Sequence, residues 1–407
     1  MSPTTFTPYM EYYKQSLALH KRLEGKIETA IKIDIETKED LSLLYSPGVA
    51  QPCIEISKDP STVYDYTLKG NTIAIVSDGS AILGIGNLGA LAAIPVMEGK
   101  AMLFKKFGGV NAFPICLDTQ DTEEIIETIR RIAPVFGGIN LEDISSPRCF
   151  EIEERLQDLG IPVFHDDQHG TAIVVLAGLI NACKVVGKNI SDLKVVINGA
   201  GAAGIAITKM LKCIGYDDTI ECTPVKDVIV CDTKGIIHSG RKDLNKVKIG
   251  LLDYTNTNDI SGTLKDALKD ADVFIGVSGP GMLHESEVHT MAPDPIIFAC
   301  ANPTPEITPE EAFKGGAAIF GTGRSDLPNQ VNNVLAFPGL FRGALNAKAT
   351  CITPGMKLAA AYAIAACVEF PTKDKIIPCI LDLTVADKVA VAVSDAWKEY
   401  QEALLVG

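Results

Sequence analysis

Apolar and polar positions follow two alternating periods along this chain. Apolar runs of about four to six residues, the length of a buried strand, give way to longer stretches with apolar residues every three or four positions, as in a helix packed on a sheet. Thr72 to Val76, Ala112 to Leu117, Gly137 to Asp143, Ile161 to Phe164, Val195 to Asn198, Val228 to Cys231, Val273 to Val277 and Ile296 to Ala299 predict strands. Glu123 to Ala133, opened by acids, and Ile94 to Phe104 predict two of the intervening helices, and the chain from Gly355 onward predicts packed helices. Strand–helix alternation of this kind gives an α/β fold with mostly parallel sheets, whose ligands lie beyond the carboxyl ends of the strands. Residues 7–25 predict an N-terminal helix with Tyr9, Tyr12, Tyr13 and Leu17 on one face. An exposed face of that kind suits a partner subunit, so a homodimer, or a tetramer, is expected.

Composition narrows the class. With 407 residues, two domains are the natural division. Hydrophobic content of 47% and charged content of 22% allow a large core and give no sign of disorder. A net charge of −14 argues against nucleic acid or an anionic membrane as partner. The 11 cysteines include no CxxC pair, and Met1 to Glu11 lacks the charged and apolar regions of a secretory signal. Free thiols in a cytoplasmic protein are therefore expected. Leu358 to Val368 is too short to span a bilayer.

Three places carry candidate chemistry. Gly199-Ala200-Gly201-Ala202-Ala203-Gly204 follows the strand ending at Asn198 and opens an apolar helix. That is the order of a dinucleotide turn: one glycine for the bend, one for the pyrophosphate, one for helix–strand packing. Asp232, ending the next strand after an apparent insertion at Gly215 to Asp227, stands where a carboxylate accepts from the ribose of NAD, although Lys234 is close and leaves NADP open. Second, Glu142, Asp143, Asp166 and Asp167 sit at strand ends. Carboxylates without thiolates suit a hard ion, Mg²⁺ or Mn²⁺, although acids there also serve as helix caps. His165 and His169, four apart, raise a zinc hydrolase site as a rival, against which Gly170 and the loop-like segment weigh. Third, Tyr45 stands at the mouth of a Pro-Gly turn and Lys100 at the edge of an apolar helix. Each has a structural reading, a packed ring and a snorkelling stem, beside the reading as acid and base.

The ordered motifs Tyr45-Ser46-Pro47-Gly48-Val49-Ala50, Ser77-Asp78-Gly79 through Gly89, Leu141-Glu142-Asp143, Asp166-Asp167 with Gly170-Thr171-Ala172, Asn198 to Gly204, Ala301-Asn302-Pro303-Thr304 and Asn332-Asn333 before Phe337-Pro338-Gly339 resemble those of malic enzymes in their short form, over about residues 20 to 390. The resemblance implies a helical arm at 1–25, a substrate and metal domain at 26–160, a Rossmann-like NAD(P)-binding domain at 161–390 and a helical tail at 391–407. It implies oxidative decarboxylation of L-malate to pyruvate and CO₂ with reduction of NAD or NADP, dependent on Mg²⁺ or Mn²⁺. In that reading Tyr45 is the catalytic acid, Lys100 the base and Asp166 its neighbour. Glu142, Asp143 and Asp167 hold the metal, Asn302 and Asn333 contact substrate, and cofactor contacts begin near Thr171 and include Ser278 and Asn302. Larger members carry an arginine for a substrate carboxylate where this chain has Ala81, and other residues at His165 and His169. A malate or tartrate dehydrogenase that does not decarboxylate, a malolactic-type enzyme, and a silent NAD(P) sensor are the alternatives.

Overall fold

The protein is described here by a computed structural model covering residues 9–83, 85–216 and 220–406. Residues 1–8 of the expected arm, Gly84 of the glycine-rich motif, residues 217–219 of the insertion and Gly407 of the expected tail lie outside those limits. Two parallel sheets organise the rest. The first has β1 (Thr72–Ser77), β2 (Asn111–Cys116), β3 (Gly138–Leu141) and β4 (Val163–His165) in the order β2-β1-β3-β4. The second has β5 (Lys194–Asn198), β6 (Asp227–Asp232), β7 (Gly235–Ile236), β8 (Val273–Gly276), β9 (Ile296–Ala299) and β10 (Ile319–Thr322) in the order β10-β9-β8-β5-β6-β7. Only β7 runs antiparallel. The strand order reverses between β5 and β8, which opens a crevice at their carboxyl ends.

The predicted strands all form, within two residues at each end, and the α/β class with a Rossmann-like second sheet holds. The division of the chain differs from the expected one. The strand near 161–164, placed by the sequence in the second unit, is β4 of the first sheet: Ile139 pairs with Val163 and Leu141 with His165. Its side chains complete the apolar layer of Ile139, Leu141, Ile152 and Val163. Nor does the second unit run unbroken to 390. Helix Phe337–Asn346 returns to the first sheet, with Phe337 and Phe341 rings 4.6 and 5.5 Å from Phe104 on helix Ala90–Gly108. Helix Thr384–Val406, which contains the expected tail, packs on it so closely that a Cβ on Gly343 would meet Ala390 O at 2.4 Å. Two strands were missed: β7 is a two-residue hairpin return, and β10 follows a Gly-Gly-Ala-Ala stretch too weakly apolar to stand out.

Helix Asp166–Val186 joins the two sheets and is buried along most of its length. Among the described residues it is the one helix long and apolar enough to cross a membrane, but its apolar side chains, Ile173 to Leu179 foremost, are the core between the sheets. The helix predicted near 7–25 spans Tyr9–Leu23, with Tyr12 and Leu17 facing outward. The expectation of free thiols fails at one pair: Cys213 and Cys222 form a disulfide across the insertion, and the other nine cysteines are free.

Candidate active site

β3, β4 and the start of helix Asp166–Val186 bring the acids together. Glu142 and Asp143 follow β3, Asp166 and Asp167 follow β4, and parallel pairing sets both ends side by side. Carboxylate oxygens of Glu142, Asp143 and Asp167 lie within 4.8 Å of one another. Asn140 donates to Glu142 Oε2 at 2.8 Å, and the backbone N–H of Asp143 donates to Asp167 Oδ2 at 2.8 Å. Asp143 Oδ2 is buried with no protein partner. Burial, then mutual repulsion, pushes Asp143 up to about 9, and burial with the Asp167 charge raises Glu142 to about 7. Three carboxylates converging with one lysine among them, and one oxygen an orphan, fit a hard divalent ion. Neither histidine is among these three ligands, although His165 Nδ1 lies 3.8 Å from Asp167 Oδ2. His169 pairs with Glu153 at 2.9 Å, and His165 is wholly buried, its pKa lowered to about 4 by burial.

Lys100 lies beside the cluster. Its ammonium donates to Asp166 at 2.5 Å and pairs with Glu142 at 2.8 Å, 4.2 Å from the Phe337 ring centre. Burial pulls the pKa down, but the charges of Asp166 and Glu142 outweigh it and hold the lysine above its ordinary value. Asn333 donates to the same Asp166 oxygen. Gly170 makes room for this arrangement, since a Cβ there would fall 1.9 Å from Asp166 Oδ1. Thr171, half-buried, is the next residue on that helix.

The dinucleotide turn is formed as the spacing requires. Gly199 has φ +127° and backs onto Val277, and a Cβ on Gly204 would lie 1.7 Å from Gly199 O. A Cβ on Gly201 meets nothing within 4 Å, so this glycine borders open space, where a pyrophosphate would lie against the start of helix Ala202–Leu211. Ala200, Ala202 and Ala203 complete the turn, and Asn198 donates to Ser278 across the crevice at 2.9 Å. Asp232 is less available than its position suggests. Arg241 takes both its oxygens at 2.7 and 3.0 Å and Lys248 one at 2.6 Å. Burial raises Asp232, but these bonds prevail and hold it at about 2.

Some expected residues stay apart. Asn302 is exposed at the carboxyl end of β9, and no hydrogen bond among the described residues ties it to the acids. Tyr45 ends helix Lys38–Leu44 with its side chain 67% exposed and makes no described contact with Lys100. Ala81 carries no charge to replace the missing arginine, and its N–H donates to Asp143 O. Two residues escaped the sequence reading. Arg148 reaches Asp78 at 2.9 Å together with Ser80 and Ser145, binding the loops after β1 and β3. Glu306, fully buried, accepts from Ser278 N and Ala301 N at 3.1 Å each and so fixes the ends of β8 and β9. A glutamate four residues past Asn302 gave no sequence signal of that role.

Comparison with known proteins places the chain in a family. Residues 24–157 match the family model for the malic enzyme N-terminal domain, and residues 168–397 the model for its NAD-binding domain. The chain is 55% identical over 394 residues to the bifunctional malic/malolactic enzyme of Bacillus subtilis, covering 96% of this chain and 94% of that one. It is 46% identical to the NADP-dependent malic enzyme of Halomonas elongata, covering 92% and 91%. Among solved structures, the NAD-dependent malic enzyme of Thermotoga maritima superposes with a TM-score of 0.88 at 47% identity, over 93% of this chain and 98% of that one. The matched spans contain Lys100, Glu142, Asp143 and the glycine turn, with Asp166 and Asp167 in the short stretch between them, and the chain belongs to the malic enzyme family.

Proposed function

We propose that this protein oxidises and decarboxylates L-malate to pyruvate and CO₂ with reduction of NAD or NADP. The observation that carries the reading is Lys100, clamped between Asp166 and Glu142 beside a three-carboxylate site, in a chain whose glycine turn borders open space. Glu142, Asp143 and Asp167 would hold a divalent ion, which supplies Lewis acidity toward the substrate's C2 oxygen, while the nicotinamide supplies the hydride acceptor.

The chain's own groups do the rest. Lys100 takes the proton of the C2 hydroxyl, for which it must first become neutral. Once the charge of Glu142 is directed at a cation, one of the two anions holding the lysine's proton is offset. Asp166 and Asn333 fix the ammonium's direction, so the base is positioned before substrate arrives. Asn302 and Asn333 hold substrate carboxylates from the rim. Tyr45 protonates C3 after CO₂ leaves, donating its phenolic proton as a general acid. A homodimer and a cytoplasmic location belong to the same proposal. The exposed aromatic arm supports the first and nine free cysteines the second, with the Cys213–Cys222 bridge opposing it.

The name of the Bacillus subtilis relative keeps one further outcome in view, conversion of malate to lactate. A stoichiometric assay with L-malate, Mn²⁺ and NAD or NADP separates the cases. Equal amounts of reduced cofactor, pyruvate and CO₂, abolished by EDTA, support the proposal. Reduced cofactor without pyruvate makes the protein a simple dehydrogenase, and lactate without net reduction makes it malolactic.

A further inference from the structure

A cavity of about 370 Å³ opens between helix Arg148–Arg155, the first turn of helix Asp166–Val186, helix Ala202–Leu211 and helix Pro354–Ala366. Lys100, the metal carboxylates and the glycine turn line none of it. Its volume is an order of magnitude above the ~30 Å³ share of one water and falls in the range of small-molecule sites. Phe150, Ile205, Met210, Ile214, Tyr216 and Pro354 make one side of the wall apolar. Ile214 and Tyr216 belong to the loop that Cys213 and Cys222 close, so the disulfide fastens that side of the cavity to the end of helix Ala202–Leu211.

The other side is a set of donors without acceptors. Gln168, only 4% exposed, leaves its amide Nε2 unpartnered. Lys357 is half-buried and Lys209 stands exposed at the mouth, and neither has a hydrogen bond or an ion pair among the described residues. Burial pulls the Lys357 ammonium below its ordinary value; the charge of Glu153 raises it in part, and the Lys209 ammonium lowers it again. Glu153 also lines the cavity, but its Oε1 accepts from the His165 N–H at 3.1 Å and its Oε2 is held to His169 Nε2 at 2.9 Å. Glu154 is exposed at the rim. Two unpaired ammonium groups and an amide thus converge where the inner carboxylate is already engaged. A doubly charged anion would meet both lysines at once, and lysines act as point charges suited to a phosphoryl group.

We propose that this cavity is a second ligand site, which takes a small organic phosphate: its phosphoryl group among Lys209, Lys357 and Gln168, and its apolar body against Phe150 and Tyr216. The proposal does not depend on the reaction assigned to the acid cluster. It does connect the two regions. Helix Ala202–Leu211 carries the glycine turn at its start and Lys209 in its last turn, and helix Asp166–Val186 carries Gln168 next to Asp167. Occupants of the cavity and of the dinucleotide crevice therefore share two helices, and each is expected to change the other's affinity by one common factor.

The test is calorimetric titration of phenyl phosphate into the full chain saturated with NADH, with no divalent ion added, so that neither the crevice nor a metal competes for the phosphoryl group. Saturable binding of one molecule per chain is expected. Lys357→Gln and Lys209→Gln should each weaken it about tenfold, the worth of one hydrogen bond to a charged group. Lys209 is exposed, so its variant keeps the test valid should Lys357→Gln fold poorly. Ile214→Ser should weaken phenyl phosphate severalfold and leave inorganic phosphate unchanged, since only the first has an apolar body. No saturable binding, or binding of wild-type strength in both lysine variants, would overturn the proposal. Benzoate, one charge short, should bind about tenfold more weakly, and equal binding would overturn the choice of a phosphoryl group. Repeating the titration without NADH reads the connection to the crevice: a shifted dissociation constant supports it, and an unchanged one would overturn it.

Discussion

Filling the metal site at neutral pH should expel protons, and the number follows from the cluster. Asp143 is pushed up to about 9 and Glu142 to about 7, while Asp167 rises to about 6, burial leading in each case. The three carboxyls titrate as one unit, so the measurable quantity is their total. At pH 7 the ligand-free cluster carries about 1.5 protons, nearly one on Asp143 and half of one on Glu142. A divalent ion needs the carboxylate forms, so binding releases them. Titration of Mn²⁺ into chelator-stripped protein, by calorimetry in buffers of different ionisation enthalpy, should give ~1.5 protons released at pH 7 and well under one at pH 9.5. By linkage the apparent affinity should rise roughly thirtyfold per pH unit near pH 7. The stability sign follows from the same shifts. Raised carboxyls make the metal-free fold bind more protons than the unfolded chain, so its stability falls as pH rises from ~4 toward about 9. Mn²⁺ should therefore raise the melting temperature more at pH 8 than at pH 5.5. Binding at pH 7 without proton release would refute the reasoning, because the carboxylates would then have been ionised beforehand and the site not electrostatically strained.

Four substitutions probe other parts of the site. Lys100→Met should lower turnover by about 10²-fold or more while leaving NADH binding intact. It should also destabilise the fold by about 3 kcal/mol, since Asp166 and Glu142 lose their buried countercharge; an unchanged melting temperature in urea or heat would oppose this. Gly201→Ala should fold normally yet raise KM for NAD about tenfold, because its new methyl enters open space at the turn, whereas Gly204→Ala should fail to fold or melt far lower; equal melting curves would show the turn is misread. Asp232→Ser should release Arg241 and Lys248 and raise kcat/KM for NADP relative to NAD by about tenfold, the worth of one charge-assisted hydrogen bond; an unchanged ratio would place the discrimination elsewhere.

Most of the fold was legible because its signal is local. A parallel strand covered on both faces must be a run such as Ile73 to Val76, and the glycine turn after β5 announces its own function by spacing. What escaped depends on partners distant in sequence. β4 reads as the first strand of a new unit because the long apolar helix follows it, yet its pairing with β3 decides its sheet. The return of Phe337 and Phe341 to Phe104 leaves no local trace beyond two aromatic residues one helical turn apart. Arg148 and Glu306 are invisible for the same reason, since each acts by bridging two strand ends. Asp232 was placed well and valued wrongly: its position follows from β6, but its charge is spent on Arg241, nine residues away across a hairpin.

The site itself shows why residue types were easier to read than electrostatics. Sequence read Lys100 as a base at the edge of an apolar helix without giving its distance to the acids. Burial lowers its pKa, but two carboxylates at 2.5 and 2.8 Å outweigh it. The outcome follows from distance, since a unit charge about 3 Å away at an effective dielectric near 20 contributes about 5 kcal/mol. A base held cationic by the ligands of an ion becomes usable when that ion offsets the charges holding its proton. In the proposed reaction Lys100 and the metal would be coupled through Glu142, which touches the first and would hold the second. A lysine placed apart from the metal ligands would have to be tuned by burial alone, with no such dependence on the cation. On that proposal the short path from Lys100 through Glu142 to Asp143 and Asp167 would make metal loading and base activation one event, and parallel pairing of β3 with β4 is what holds that path together.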